Sequence, residues 1–579
     1  GVGPAWPRGH AEPEPGRLVV LLSRITPPLR RRCALRSDPG KRKEFRYTPH
    51  RAEAPEDVAV IVSRSAGQEL KMQLRGYLIG RSRSAPEPNG QDVETDDSSD
   101  DVIAISRDLF RVLRGSSNLI FANSRSEVEQ YSDLLRRMCD HEKVPNEFWP
   151  HHGSLSKSLR EDLETRLKER SRPINAVCTS TLELGIDIGS VKSIAQIGPP
   201  WTVASLRQRL GRSGRRGGDP AILRLYVSEP EITPLTPLLD TLRLDLVQSI
   251  AMLNLLLRGW CEPPTDGALH LSTLVQQVLS LIAQFGGVSA AKAWAAICEH
   301  GPFRHVDRPM FARVLRSLGA ADLITQMDDG TLLLGDKGER IVNHYSFYAA
   351  FESAEEYRVL HDGRLLGTLP LTGPLDERFF LIFAGRRWRV IAVDEEMRTI
   401  LVQPAKGGRL PAFASAGSGN LHDAIRQEVF AIYTSTTVPI FLDGTAQALL
   451  LEGRKSFTRL GLNATAIVQD GQDSILFCWR GDRIVNTVSV LLARRGLSAT
   501  RQGPALQLDR VSAADLVVHL RTLVSEGPYD AVEIAAGVSL KRQEKHDVWL
   551  DDELMSAEYA ARSLDIAGAI NCITALTSQ

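Results

Sequence analysis

Between Arg207 and Arg216 five arginines fall within ten residues, in the run Gln208-Arg209-Leu210-Gly211-Arg212-Ser213-Gly214-Arg215-Arg216-Gly217-Gly218. A guanidinium fork matches the geometry of phosphate, and arginine is poorly suited to burial without an anion. Arg212 and Arg215 stand one helical turn apart on one face, so both can reach a single triphosphate across a cleft. An arginine finger of this kind contributes about 10³–10⁵ in rate. Taken alone, the run also reads as a solvated basic loop.

Three further pieces share its chemistry. Thr179-Ser180-Thr181-Leu182-Glu183-Leu184-Gly185-Ile186-Asp187 directly follows an apolar run, and hydroxyls at the C-terminal end of a buried strand are where parallel sheets bind phosphates. Within it Gly185 permits a close backbone turn and Asp187 can accept a ribose hydroxyl. Asn123-Ser124-Arg125 follows another apolar run, and His151-His152-Gly153-Ser154 precedes a charged helical stretch. Each offers backbone N–H groups, a hydroxyl and a cation beside a helix start, which suits a nucleic-acid phosphate. Singly, Ser154 also reads as a helix cap and His151 as a core or surface histidine.

The elements that must position these groups are legible as alternation. Asn118–Ala122, Asn175–Thr179, Ser193–Ile197 and Ile222–Val227 are short continuous apolar runs, separated by helical stretches over Glu127–Glu142, Lys157–Arg170 and Ala204–Leu210. Strands buried on both faces with helices between them imply an α/β domain with a parallel sheet over about residues 115–230. Upstream, Leu18–Leu29 reads as a short helix, Val58–Ser63 and Leu70–Leu78 as strands, and Arg81–Asp101, ending in DDSSDD, as a solvated linker. Downstream, Pro234–Leu257 is an apolar helical bridge. Helices over Leu274–Phe285, Ala290–His300 and Asp307–Leu318, then strands flanking Asp328-Asp329-Gly330, form a winged-helix pattern. Strand-rich residues 346–435 include Trp388 among Arg386, Arg387 and Arg389. That tryptophan reads equally as a base-stacking platform, worth about 1–3 kcal/mol per base, and as a core residue.

In this order the pieces resemble motifs IV, IVa, V and VI of the second RecA-like domain of superfamily 2 helicases. The wording LIFANSR, HHGSLS, CTSTLELGIDIG and QRLGRSGRRGG is similar to the large helicase-related (Lhr) family. Ala66–Lys71 resembles that family's exit from its first RecA-like domain, and Leu476–Arg483 with Glu553–Ala567 resembles its C-terminal domain, so the likeness covers roughly residues 16–30 and 58–579. The resemblance implies an α/β multidomain chain: a remnant of the first RecA-like domain over 1–80, a linker over 81–101, the second RecA-like domain over 102–230, a helical bridge over 231–267, a winged helix over 268–345, a β-rich barrel-like domain over 346–435 and an α+β domain over 436–579. It implies an ATP-driven 3′→5′ translocase on single-stranded DNA or an RNA:DNA hybrid, often in repair. By motif, Gln208, Arg212 and Arg215 would face the nucleotide with Asp187 near its ribose. Ser124, Arg125, His152, Gly153, Ser154 and Thr179 would touch the strand. The helix Asp307–Leu318 would act as a strand-separating wall.

The family pattern breaks upstream. ATP and Mg²⁺ need a Gly-Lys-[Ser/Thr] loop and an acidic DExH; Gly40-Lys41 is followed by Arg42, and no DExH occurs in the sequence. His10–Pro15 lies where the acidic motif would be and Ala34–Gly40 where a Ser-Ala-Thr motif would be. The chain is therefore expected to be the C-terminal two-thirds of a helicase, truncated or misread in its first part and without ATPase activity alone. The other readings are a noncatalytic nucleic-acid-binding protein and an interaction subunit whose partner supplies the missing half. The 70 basic and 70 acidic residues cancel, so bulk charge gives no sign of a nucleic-acid partner and the argument rests on the local arginine run. Seven scattered cysteines without a ligand spacing support neither a disulfide framework nor a metal site. The first sixteen residues lack the apolar run of a signal peptide, and no stretch reaches the about 20 apolar residues of a membrane span. A reducing cytoplasm is expected.

Overall fold

The computed structural model describes residues 69–80, 99–169, 171–184, 188–214, 219–264, 267–351, 356–370, 380–405, 420–539 and 541–578, together with two short strands near the start. Those two, β1 (Leu18–Val19) and β2 (Arg46–Tyr47), pair antiparallel within a unit that ends at Glu69. A helix over Leu18–Leu29 is not what its two described residues form, since both are strand. The strand expected over Val58–Ser63 and most of the 81–101 linker lie outside the described residues.

The second unit, Leu70–Gln579, is organised around a six-stranded parallel sheet of order β3-β8-β7-β4-β6-β5. The strands are β3 (Leu70–Ile79), β4 (Asn118–Phe121), β5 (Phe148–His151), β6 (Asn175–Cys178), β7 (Ser193–Ile197) and β8 (Ala221–Pro230). Helices α1 (Asp100–Leu113), α2 (Arg125–His141), α3 (Lys157–Glu169) and α4 (Val203–Leu210) lie between them. β4, β6 and β7 are buried at every position, as strands covered on both faces must be. Helix starts are set by side chains. Ser124 and Glu127 form a reciprocal capping box at α2, and the Thr202 hydroxyl accepts the Ser205 N–H at α4.

β3 corrects the expected boundary at residue 80. It pairs in parallel with β8 along its whole length, Leu70 opposite Ala221 to Ile79 opposite Pro230, so it belongs to the sheet of the 102–230 domain and not to a remnant of another. Its outer edge is covered in turn. Leu74 N–H donates to the Phe441 carbonyl (2.8 Å) and Asp443 N–H to the Leu74 carbonyl (3.0 Å). A Cβ at Gly76 would lie 2.9 Å from the Ala446 backbone, so only glycine lets the following helix approach this closely.

The expected bridge is the helix α5 (Leu244–Leu257), buried over most of its length. It is followed by α6 (Leu271–Phe285), β9 (Val288–Ser289), α7 (Ala290–Trp294), α8 (Arg308–Ala320), β10 (Ile324–Gln326), β11 (Thr331–Leu334) and α9 (Asp336–Asn343), with a small antiparallel sheet of order β10-β11-β9. Residues 356–405 form a five-stranded sheet of order β13-β12-β16-β15-β14: β12 (Glu356–His361), β13 (Arg364–Pro370), β14 (Phe380–Phe383), β15 (Arg386–Asp394) and β16 (Thr399–Pro404). Among the described residues it is a half-barrel, with β13 and β14 as edges. The β13 edge is met by the segment after β5: Ser156 N–H donates to the Leu366 carbonyl (2.9 Å) and Thr368 N–H to the Ser154 carbonyl (2.7 Å). A Cβ at Gly367 would come within 2.1 Å of that Ser154 oxygen, so glycine is required for the join.

The last part carries α10 (Asp423–Thr434), α11 (Gly444–Arg459), an antiparallel sheet of order β17-β18-β20-β19, and helices through to Thr577. Its strands are β17 (Ile467–Asp470), β18 (Asp473–Phe477), β19 (Ala499–Gln502) and β20 (Ala505–Leu508). The boundary expected at 435 falls elsewhere. Ile425, Val429 and Tyr433 of α10 share one core with Leu74, Leu225, Val247 and Leu450, so α10 belongs with the helices around α5 and not with the half-barrel. Six cysteines, Cys139, Cys178, Cys261, Cys298, Cys478 and Cys572, are free thiols.

At the end of β8, Glu229 is buried and accepts the Leu246 N–H (2.8 Å) at the start of α5. Burial pushes its carboxyl up to about 8, Asp245 adding to the shift while the backbone hydrogen bond opposes it. A raised acid binds its proton more tightly in the folded state, so its contribution is fully present below the ordinary carboxyl range and is lost as pH rises through about 8. Glu229→Gln keeps the acceptor and removes the charge. We expect it to raise the melting temperature by several degrees at pH 8.5 and to leave it unchanged near pH 4. Thermal melts across that range check this; a pH-independent difference would refute it.

Candidate nucleic-acid and nucleotide interface

The sheet order places β6 between β4 and β5, so the segments that follow these strands meet at one end of the sheet. Ala122 N–H bonds the Cys178 carbonyl (2.9 Å) and Thr179 N–H the His151 carbonyl (3.4 Å), continuing the ladder into the loops. Arg125, Gly153, Ser154 and Thr179, quoted from three separate stretches, thus come together at the C-terminal ends of parallel strands, where such sheets bind ligands.

Arg125 is the centre of the group. Its Nη1 donates to the Ser154 hydroxyl at 2.6 Å and lies 3.3 Å from Glu356 Oε1, with 39% of its side chain exposed. Ser154 is buried, so it seats Arg125 and is itself no surface contact. Gly153 is exposed with open space around it. Thr179 is half-buried and precedes a short 3₁₀ turn, Ser180–Leu182, without capping it. Ser124 is half-buried, its hydroxyl accepting the Glu127 N–H (3.1 Å).

Two further expected strand contacts are corrected. His152 is fully buried, and its Nε2 meets Glu129 Oε1 at 2.8 Å. Glu129 also accepts the N–H groups of Ala384 (2.8 Å) and Gly385 (2.6 Å), so His152 serves the join between α2 and the half-barrel. Trp388 is 3% exposed and its indole N–H donates to the Phe383 carbonyl (2.7 Å). Its ring packs inside the half-barrel core with Val359, Phe383 and Ile400, and a base has no free face on which to stack. His151 is buried as well, between Thr181 (2.8 Å) and Glu164 (3.2 Å), and its proton affinity is lowered chiefly by desolvation, with Glu164 opposing.

The arginine run divides by depth. Gln208 and Arg207 are exposed on α4, whereas Arg209 and Arg212 are buried. Arg209 Nε donates to Glu183 Oε2 (2.9 Å) and its Nη1 to Gln196 Oε1, and its guanidinium lies 4.7 Å from the Phe121 ring centre. Gln196 in turn donates to Asn123 Oδ1 (3.3 Å) and the Ile197 carbonyl (2.8 Å). Arg212 donates Nε (3.2 Å) and Nη2 (2.9 Å) to the Glu183 carbonyl. One polar chain therefore runs Asn123–Gln196–Arg209–Glu183–Arg212, tying the ends of β4, β6 and β7 to α4. Gly185, Asp187 and Arg215 lie outside the described residues. Sequence reasoning gave no part to Arg209, Glu183 or Gln196. A glutamine inside the otherwise apolar Ser193–Ile197 was the available signal. Nothing local pointed to Glu129 or Glu356.

Residues 101–217 match the family model of the helicase conserved C-terminal domain. The chain is 24% identical over 354 residues to the Lhr helicase/uracil glycosylase of Escherichia coli K12, covering 56% of this chain and 22% of that protein. It is 37% identical over 108 residues to the ATP-dependent helicase Lhr-Core of Saccharolobus solfataricus, covering 18% of this chain and 12% of that one. It thus spans about a fifth or less of these relatives. In fold it is similar to the Mycobacterium smegmatis helicase Lhr solved with ssDNA and AMP-PNP, with a TM-score of 0.59 and 19% identity over 90% of this chain and 69% of that one. A helicase C-terminal domain on a parallel sheet, Lhr relatives in sequence and an Lhr neighbour in fold together make this chain similar to the Lhr-type superfamily 2 helicases.

Proposed function

We propose that this chain is the strand-binding and nucleotide-sensing part of an ATP-dependent 3′→5′ helicase acting on DNA or RNA:DNA hybrids in the cytoplasm, in repair, and that it binds a single strand without hydrolysing ATP on its own. The observation that carries the reading is the convergence of Arg125, Gly153 and Thr179 at the strand ends, with Ser154 beneath Arg125. Arg125 supplies the cation for a backbone phosphate, and Thr179 and Gly153 line its approach. Such contacts position the strand and carry no sequence information. The module of α6 to β11 acts as a winged helix with α8 as the wall that parts strands.

For the nucleotide, the exposed Gln208 would face the phosphates, and Arg212 would exchange the Glu183 carbonyl for phosphate oxygens. Arg215 would complete the pair and Asp187 would meet the ribose. Bound ATP supplies the phosphoryl chemistry, and these residues hold and sense its phosphates. Mg²⁺ is different. Among the described residues no group of three or more His, Cys, Asp or Glu can hold a metal ion, and we assign the metal to the acidic motif of the intact parent. Among the described residues no helix is long and apolar enough to cross a membrane.

Titration of the purified chain with a fluorescent oligo-dT at two salt concentrations tests the reading. We expect binding that weakens with salt, a loss of about tenfold in Arg125→Ala, and no ATP turnover with or without the oligonucleotide. Failure to retain the strand at low salt overturns it.

A further inference from the structure

The Arg125 guanidinium is already matched by an anion of the protein's own. Glu356, at the start of β12, places Oε1 3.3 Å from Arg125 Nη1 and accepts the Thr368 hydroxyl on Oε2. Its carboxylate therefore bridges a guanidinium and a hydroxyl, the donors that two oxygens of a phosphate would accept from. The position is held firmly, because Thr368 N–H is bonded to the Ser154 carbonyl (2.7 Å) and the Ser154 hydroxyl to Arg125 (2.6 Å). It is also open: the two side chains are 39% and 26% exposed. An ion pair this exposed is weak, so an incoming anion that fits the same donors exchanges for it readily.

We propose that Glu356 is a built-in phosphate surrogate: it occupies Arg125 in the free protein, swings aside when a nucleic-acid phosphate arrives, and thereby sets the affinity of this contact. The inference rests on the strand-binding reading above. It gives the half-barrel a part in strand binding although its tryptophan takes none. Affinity at this point is then a competition between two anions for one arginine, which favours release and re-binding over tight capture.

The test is a double-mutant cycle on the full chain with oligo-dT as probe. E356Q keeps an acceptor for Thr368 and removes the charge. We expect it to bind about two- to five-fold more tightly at low salt, the factor that corresponds to an exposed ion pair. Its plot of log affinity against log salt should also steepen by up to about 0.7, because the unaltered chain's displaced Glu356 carboxylate takes up a cation as the phosphate contact releases one, and E356Q has no such uptake. In the R125A background the same substitution should change neither. E356A, which removes the carboxylate outright, is the second variant, and should match E356Q if either folds with a wild-type melting transition. Equal or weaker binding by E356Q, or an equal gain with and without Arg125, overturns the surrogate role while leaving strand binding intact. Absence of salt-sensitive binding by the unaltered chain overturns the underlying reading instead.

Discussion

Replacing Arg209 with methionine is expected to destabilise the chain by about 3–5 kcal/mol, the cost of removing one partner from a buried ion pair. At about 2–4 °C per kcal/mol for a domain of this size, the melting temperature falls by roughly 10 °C. Methionine retains most of the apolar stem over Phe121, so the loss reports on the head group. Without it the buried Glu183 carboxylate has no cation and Gln196 Oε1 loses its donor. Lysine is no remedy, because a point charge cannot serve two acceptors at the positions of a planar fork. Combining Arg209→Met with Glu183→Gln removes the orphaned charge and is expected to recover most of the loss. Thermal unfolding of the three variants measures it. A single variant of wild-type stability would show that the chain from Asn123 to Arg212 does not hold the strand ends together. Since Arg212 hangs from the carbonyl of the same Glu183 residue, the single variant also disturbs Arg212.

The second large effect is expected at Glu129. This carboxylate has no exposed surface and accepts from His152 Nε2 and from two backbone N–H groups of the half-barrel, Ala384 and Gly385. Beside it the buried Asp133 takes Arg387 at 2.9 Å. Glu129→Ala leaves three buried donors without a partner, at about 1–3 kcal/mol each, a total of roughly 3–5 kcal/mol after relaxation. The loss should be local. Hydrogen exchange is expected to rise in residues 380–394 while β4, β6 and β7 stay protected. Glu129→Gln, which keeps one acceptor oxygen, should fall between. Unchanged exchange across 380–394 in the alanine variant would show that the half-barrel is held by other contacts.

These two clusters mark the reach of sequence reasoning here. The strands β4, β6 and β7 were legible as apolar runs because strands buried on both faces need no polar side. The body of α2 was legible as the charged helical stretch from Glu127, directly after such a strand. The placement of Arg125 and Thr179 at the sheet's end was legible because their stretches follow such strands directly. Each of these signals is local.

Pairings across long separations were not legible, and they assign the roles. Arg125 and Glu356 are 231 positions apart, and Glu129 and Gly385 are 256 apart. Trp388 among three arginines read equally as a stacking platform and as a core residue, and the half-barrel turns it inward and into a core. Leu70–Leu78 read as a strand, but only the sheet shows which domain owns it. By itself, then, the sequence determined the strand-and-helix alternation and put the candidate phosphate ligands directly after the strands, because these follow from residues within a few positions of one another. The tertiary structure alone decided which arginine is buried, which histidine joins two domains and which carboxylate faces Arg125, because those depend on what packs from a distant part of the chain.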